Sequence, residues 1–170
     1  MTPIAYHLTW TTYGTWLPGD ARGWVQSGSP GVQEPDPERL QDARRLMAES
    51  AVVLTGDQRN LVAQTIRDHC AHRRWTLHAL NARSNHIHVV VSASHDSDEM
   101  MNQFKAWCSR KLSDLAGLKM PVARKAGRRR WWTERGSTKV IYDEENLRNA
   151  IAYVLEKQGE SIARRDSPTR

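Results

Sequence analysis

The sequence has few of the residues that mark disulfide-stabilised, zinc-binding or membrane proteins. Its 2 cysteines, Cys70 and Cys108, show no CxxC spacing, and their number alone excludes a structural zinc site made of cysteines. No apolar run approaches the roughly 20 residues of a membrane-spanning helix, and no secretory signal pattern is present. These absences predict a cytoplasmic protein with buried reduced thiols and no membrane partner.

Positive charge exceeds negative charge, with 25 Lys and Arg against 19 Asp and Glu and a net charge of +6. Much of the excess lies in one short segment that ends in two tryptophans: Arg124, Lys125, Arg128, Arg129, Arg130, Trp131 and Trp132. Cations offset phosphate charge and indoles can stack on unpaired bases, so the segment predicts nucleic-acid binding. The alternative is a solvated loop whose tryptophans belong to the core.

Two histidines mark the most informative stretch, Ser84 to Val91. Side chains alternate faces along a strand, so His86 and His88 should point to one face and Ile87 and Val89 to the other. This pattern predicts a strand that carries a metal ion on the face of a sheet, since histidine is the commonest metal ligand. A pair of solvated surface histidines is the alternative.

The order of predicted elements is strand, helix, strand, strand, helix, strand, helix. It favours an α+β, ferredoxin-like (RRM-like) fold, in which helices cover one face of an antiparallel sheet and leave the other face for a ligand. The pattern predicts strands at about 5–13, 75–82 and 86–93, one or two short strands within 131–141, and helices at about 56–72, 96–117 and 143–157.

A single domain is predicted over residues 1–158, with a loop-rich insertion at about 16–50 and a disordered basic tail at 159–170. Within the insertion, the proline-rich residues 27–37 predict a loop or mobile excursion. Residues 38–50 predict a short helix with Leu40, Leu46 and Met47 facing inward. The insertion could contact DNA or a partner, or be inert.

Tyr153 lies on the last predicted helix, outside its apolar sector. On a helical wheel, Leu147, Ile151 and Val154 share that sector, whereas Tyr153 falls roughly 120–140° from its centre at about 100° per residue. Such a tyrosine is either an ordinary surface residue or a reactive group presented beside the histidine strand.

The histidine strand and this helix together resemble the HUH single-tyrosine transposases, which include insertion-sequence and REP-associated members. The similarity extends over about residues 4–158. Its motifs are Asn85 with His86-Ile87-His88, the helix 149–158, the opening Tyr6-His7-Leu8-Thr9-Trp10, and the segment 132–138.

The resemblance implies a metal-dependent enzyme that nicks and rejoins single-stranded DNA, with hairpins as the expected partner structure. His86 and His88 would hold Mg²⁺ or Mn²⁺, and Tyr153 would attack the scissile phosphate to give a 5′-phosphotyrosine. Because a phosphotyrosine conserves the energy of the broken bond, no ATP is needed, in agreement with the absence of a phosphate-cradling Gly-Lys-Ser/Thr loop.

The resemblance also implies a third metal ligand on the tyrosine helix. Insertion-sequence members have a glutamine four residues after the tyrosine, a position that is Lys157 here. Gln158 is therefore the expected ligand, with Glu156 as the second candidate. Family members include homodimers that exchange the tyrosine helix and monomers that do not, and the sequence leaves both open.

Two other functions remain open. One is a catalytically inactive module on the same fold that binds DNA hairpins or single strands, which the Lys157 departure favours. The other is a metal-dependent hydrolase or RNA-directed nuclease in which water, rather than Tyr153, is the nucleophile.

Overall fold

Four antiparallel strands form one sheet in the computed structural model of the chain, which describes residues 1–26, 29, 31–118 and 129–156. The strands lie in the order β2-β3-β1-β4, so the histidine strand β3 is hydrogen-bonded on both sides. The elements in chain order are β1 Ala5–Thr11, α1 Pro37–Arg45, α2 Gly56–Arg73, β2 Thr76–Ala82, β3 His86–Ser92, α3 Ser97–Leu115, β4 Ser137–Ile141 and α4 Glu144–Glu156.

One face of the sheet carries the larger part of the core. Leu8 and Trp10 of β1 and the odd-numbered residues of β3 pack there against α2 and α3, and Phe104 of α3 is fully buried among them. Both cysteines belong to this core as buried free thiols, as predicted, and burial raises the pKa of Cys70 to about 11.

The opposite face carries the histidines and a second, smaller apolar cluster. There α4 packs through Leu147 and Val154 against Ala79 and Val90 of the sheet. The α+β fold class is confirmed, with α2 and α3 on one face as expected. The fourth helix differs from the expectation, because its apolar sector covers part of the face predicted to be open.

Local capping signals define where the long helices begin. Thr55 and Gln58 form a capping box at the start of α2, and the Asp96 carboxylate accepts hydrogen bonds from the first turn of α3. Each cap satisfies backbone N–H groups that have no partner within the helix. None of the helices in the described ranges is both long and apolar enough to cross a membrane.

In the described part of residues 16–50, residues 29 and 31–36 form a loop, the first of the two structures predicted for 27–37. Trp24 pairs with Gln33 in an isolated β-bridge. Gly19 is buried against the backbone of Asp36, the N-cap of α1, and a side chain at position 19 would clash with it. The helix α1 is shorter than predicted and buries no residue, and Leu46 is 85% exposed instead of facing inward.

Candidate active site on the sheet

The site is built from the two histidines of β3. His86 and His88 are both buried, and their ring centroids lie 4.8 Å apart on the same face of the sheet, as the alternation predicted. The antiparallel register with β1 sets Thr11 opposite His86 and Thr9 opposite His88. Their backbone is therefore fixed by ladder hydrogen bonds to strands on both sides.

Hydrogen bonds at Nδ1 orient both imidazoles. His86 Nδ1 lies 2.6 Å from the amide oxygen of Asn85, and because that oxygen only accepts, Nδ1 carries the proton. His88 Nδ1 lies 2.9 Å from Thr9 Oγ1 and 3.0 Å from His7 Nε2. Partners at Nδ1 fix a histidine's tautomer and ring orientation, as they do for metal-ligating histidines.

His7, which lies within the opening motif Tyr6-His7-Leu8-Thr9-Trp10, is a further member of this group through its contact with His88. Burial, with a further contribution from Lys139, lowers the pKa of His7 to about 4, so the ring is neutral at neutral pH. His7 and Thr9 are two residues apart on β1 and so point to the same face of the sheet, the face that carries His86 and His88. The pairing of β1 with β3, which brings His7 to His88, is a long-range contact that no local pattern predicts.

The structure brings Tyr153 to the histidine strand. Its ring centroid lies 5.7 Å from the ring centroid of His88 and 5.7 Å from that of His7. Tyr153 is half-buried and packs against the smaller apolar cluster, as Ile151 of the predicted apolar sector also does. A phenol and three imidazoles of one chain thus share one surface.

Asn81 holds the end of α4 over the sheet. Its side-chain Nδ2 donates a hydrogen bond of 3.0 Å to the carbonyl oxygen of Val154, the residue after Tyr153. Asn81 is also the register partner of His88 on β2. One amide therefore links the tyrosine helix to the strand position beside the histidine, a role that no feature of the sequence indicated.

Of the expected third metal ligands, Gln158 lies outside the described residues, as does Lys157. Glu156 is the last residue of α4 and is exposed. Within the described ranges, no three His, Cys, Asp or Glu side chains are grouped so that they could hold a metal ion. Glu156 is therefore not brought into such a group with the histidine pair.

The basic segment predicted to bind DNA is described only in part, because Arg124, Lys125 and Arg128 lie outside the described residues. Arg129 and Arg130 are exposed, and their guanidinium groups lie over the rings of Trp131 and Tyr13. Arg129 also lies 3.9 Å from the carboxylate of Glu49, so part of its positive charge is offset, and Arg130 contributes positive charge near residue 13.

The two tryptophans of that segment are buried, with 4% and 9% of their surfaces exposed. Trp131 Nε1 donates to Ser113 Oγ, and Trp132 Nε1 donates to the carbonyl oxygen of Lys105. Both indoles are packed against α3, so the alternative of core tryptophans holds and base stacking by these rings is not supported.

Comparison with known proteins identifies the class. A family model described as IS200-like transposase matches residues 46–158, more than half of the chain, so the chain belongs to the IS200-like transposase family. This family is generally metal-dependent. No curated protein matches the chain.

Two solved structures are similar. A REP-associated tyrosine transposase bound to a REP hairpin aligns with a TM-score of 0.51 and 11% identity, over 91% of this chain and 66% of that one. A candidate transposase from Deinococcus radiodurans aligns with a TM-score of 0.47 and 18% identity, over 95% of both chains. This chain thus spans about two thirds of the REP-associated protein, and the likeness establishes the shared fold.

Proposed function

We propose that this protein is a metal-dependent endonuclease and strand-transfer enzyme that acts on single-stranded DNA through Tyr153. Membership in the transposase family supplies the reaction class. The observation that carries the proposal is the contact of the Tyr153 ring with the rings of His88 and His7 in the same chain. An enzyme that used only water would have no need of a phenol there.

The donor set suits a divalent cation. His86 and His88 would be its ligands through Nε2, because Nδ1 of each ring is occupied by Asn85 in one case and by Thr9 and His7 in the other. When bound, the cation polarises a phosphate and offsets the charge that develops on it. Imidazole ligands suit Mn²⁺ better than Mg²⁺, and Gln158 is our proposed third ligand.

In the proposed reaction, the hydroxyl oxygen of Tyr153 attacks the scissile phosphorus and loses its proton to water, and the departing 3′ oxygen takes up a proton from water. The bond from phosphorus to the 3′ oxygen breaks, leaving a 3′-hydroxyl on one strand end and a 5′-phosphate ester on Tyr153. A free tyrosine, with a pKa of about 10, is a weak nucleophile at neutral pH. His7, whose ring lies beside that of Tyr153, is neutral and so adds no positive charge that would repel a cation at His86 and His88.

Single-stranded DNA with hairpins is the proposed partner. The net charge of +6 and the exposed Arg129 and Arg130 suit a polyanion. A structural neighbour was solved bound to a REP hairpin, which supports the same kind of DNA for this chain.

A denaturing gel tests the proposal. The protein is mixed with Mn²⁺ and a labelled single strand that contains the hairpins flanking its gene. We expect a protein–DNA band that survives denaturant in the wild type and is absent in Tyr153→Phe, since phenylalanine keeps the ring and removes the nucleophile. DNA binding by Tyr153→Phe in a native gel is the control.

Two other results would contradict the proposal. Cleavage without a covalent band in both proteins would indicate a hydrolase that uses water. Binding with neither cleavage nor a covalent band would indicate a DNA-binding module, the function favoured by Lys157 at the position of the family's glutamine.

A further inference from the structure

A concave pocket of about 540 Å³ lies at the end of β1, where the insertion meets the segment before β4. Thr9, Thr11 and Ser137 line it from the sheet, and Trp16, Val25 and Arg135 are among its other lining residues. Its volume is in the range of roughly 300–1,000 Å³ that is usual for ligand sites in proteins.

The pocket adjoins the candidate active site. Thr9, which lines it, places its hydroxyl 2.9 Å from His88 Nδ1, and Thr11 is the register partner of His86. Ser137 is the register partner of Thr9 on the other side. A strand of DNA with its phosphate at the histidine pair would therefore have its neighbouring nucleotide within reach of this pocket.

The aromatic wall is held in place by backbone contacts. Trp16 Nε1 donates a 2.7 Å hydrogen bond to the carbonyl oxygen of Gly23, and Trp24, which also lines the pocket, donates from Nε1 to the carbonyl oxygen of Glu34. Gly23 has a φ of +84°, a conformation in which glycine is strongly preferred. Trp24 is buried, with the Arg39 guanidinium 4.8 Å from its ring centroid, so it acts as a support. The half-buried Trp16, whose indole N–H is already bonded, offers the apolar ring surface of the pocket.

The remaining lining groups suit a nucleotide. The hydroxyls of Thr9 and Thr11 are bonded to His88 and Thr133. The exposed Ser137 hydroxyl can donate to or accept from the edge of any base, and Arg135, also exposed, carries a guanidinium that suits a phosphate. Aromatic side chains beside positive charge are the usual means by which proteins hold unpaired bases.

We propose that this pocket holds one unpaired base of the DNA next to the scissile phosphate. The inference rests on the proposed function and adds a determinant of which strand position is cut. Trp16 and Val25 lie outside residues 46–158, so this wall is not part of the segment that matches the family model.

The test combines abasic DNA with a protein variant. The probe is the labelled single strand with its flanking hairpins, made as a series in which one nucleotide at a time lacks its base. We expect one unpaired position where base removal raises the wild-type Kd about 5-fold or more, the loss expected for one stacked base. In Trp16→Leu the Kd for the intact strand should rise by the same factor, and removal of that base should raise the Kd of this variant little further.

Matched variants separate the pocket from general effects. Trp107→Leu removes a 42%-exposed tryptophan of α3, on the other side of the sheet, and should keep the full abasic effect. Trp16→Phe, which keeps an aromatic ring, should retain the rise in Kd on base removal that Trp16→Leu loses. Val25→Glu changes a 62%-exposed pocket residue without disturbing the core, and should abolish the abasic effect even if Trp16→Leu unfolds in a thermal melt.

Additive effects of base removal and Trp16→Leu, or no binding of this DNA at all, would overturn the pocket assignment. The covalent-band assay on the same samples distinguishes the two proposals. If a covalent band forms but base removal and Trp16→Leu have additive effects, only the pocket assignment is wrong. If their effects are non-additive but no covalent band forms, only the proposed cleavage chemistry is wrong.

Discussion

Thr9 connects the strand β1 to the ring of His88 through a single hydroxyl. Thr9→Val keeps the shape of the side chain but removes this hydrogen bond, so the imidazole should be less well oriented. We expect the Mn²⁺ concentration for half-maximal formation of the covalent band to rise about 10-fold, as for other groups that orient metal ligands.

Thr9→Ser is the matched control, since it retains the hydroxyl and should need no more metal than the wild type. An unchanged metal requirement in Thr9→Val would mean that His7, 3.0 Å from the same nitrogen, orients His88 alone.

Gly136 precedes β4 at a point where the backbone passes close to β1 and α3. A Cβ added there would lie 2.6 Å from the carbonyl oxygen of Thr9 and against the sulfur of Met101. Gly136→Ala should therefore lower the free energy of unfolding by about 1–3 kcal/mol through overpacking. Urea denaturation measures this, with Gly56→Ala as control because its nearest neighbour is 3.9 Å away.

Residue-level prediction succeeded where a local pattern determines the outcome. The spacing of His86 and His88 fixed their shared face. The wheel position of Tyr153 was less informative, because the structure packs Tyr153 against the same cluster as Ile151. The burial of Trp131 and Trp132 was not predictable in the same way, since a basic segment with two indoles looks alike whether the rings stack on bases or pack on α3. Their partners, Ser113 and Lys105, are far away in sequence.

At the scale of elements, Lys105 ties α3 to the segment before β4. Its buried ammonium donates hydrogen bonds of 2.9, 3.2 and 3.1 Å to the carbonyl oxygens of Thr133, Glu134 and Arg135. Lys105→Met leaves these carbonyls without that donor, and we expect a loss of about 1–3 kcal/mol in the free energy of unfolding at pH 7.

The same lysine predicts a dependence of stability on pH. Burial lowers its pKa from 10.5 to about 8, so between those values the unfolded chain holds more protons than the folded chain. The contribution of Lys105 to the free energy of unfolding should therefore rise with pH across this window. Urea denaturation from pH 8 to 10.5 isolates this contribution as a difference between proteins, because the buried thiols Cys70 and Cys108 add the same opposite slope to all of them. The slope should be less positive in Lys105→Met than in the wild type, whereas the exposed Lys111→Met should keep the wild-type slope. Equal slopes in all three proteins would contradict the assignment.

The helices and strands themselves were largely predictable, because caps and periodicity are local. Thr55, Asp96 and Asp143 each mark a helix start that the structure has within a residue or two. The order of strands in the sheet and the face chosen by α4 were not, since both depend on which apolar surfaces meet. The same reason explains the end of α1, where Leu46 at the C-cap stays 85% exposed.

At the scale of the whole molecule, Tyr153 contacts the histidine strand of its own chain. We therefore expect the nucleophile to act in cis. A mixture of Tyr153→Phe with a His86→Ala, His88→Ala double variant should give no covalent band, because neither protein has a complete site. A band in the mixture would indicate that two copies exchange α4.

The division of labour between the two faces of the sheet has a practical consequence. Most of the apolar core lies under α2 and α3, whereas the histidines, Thr9 and Tyr153 lie on the other face beside a much smaller cluster. Stability and activity therefore depend on largely separate sets of side chains. A library of variants sorted only by solubility or melting temperature would retain many inactive proteins, and the active ones would have to be found by assay.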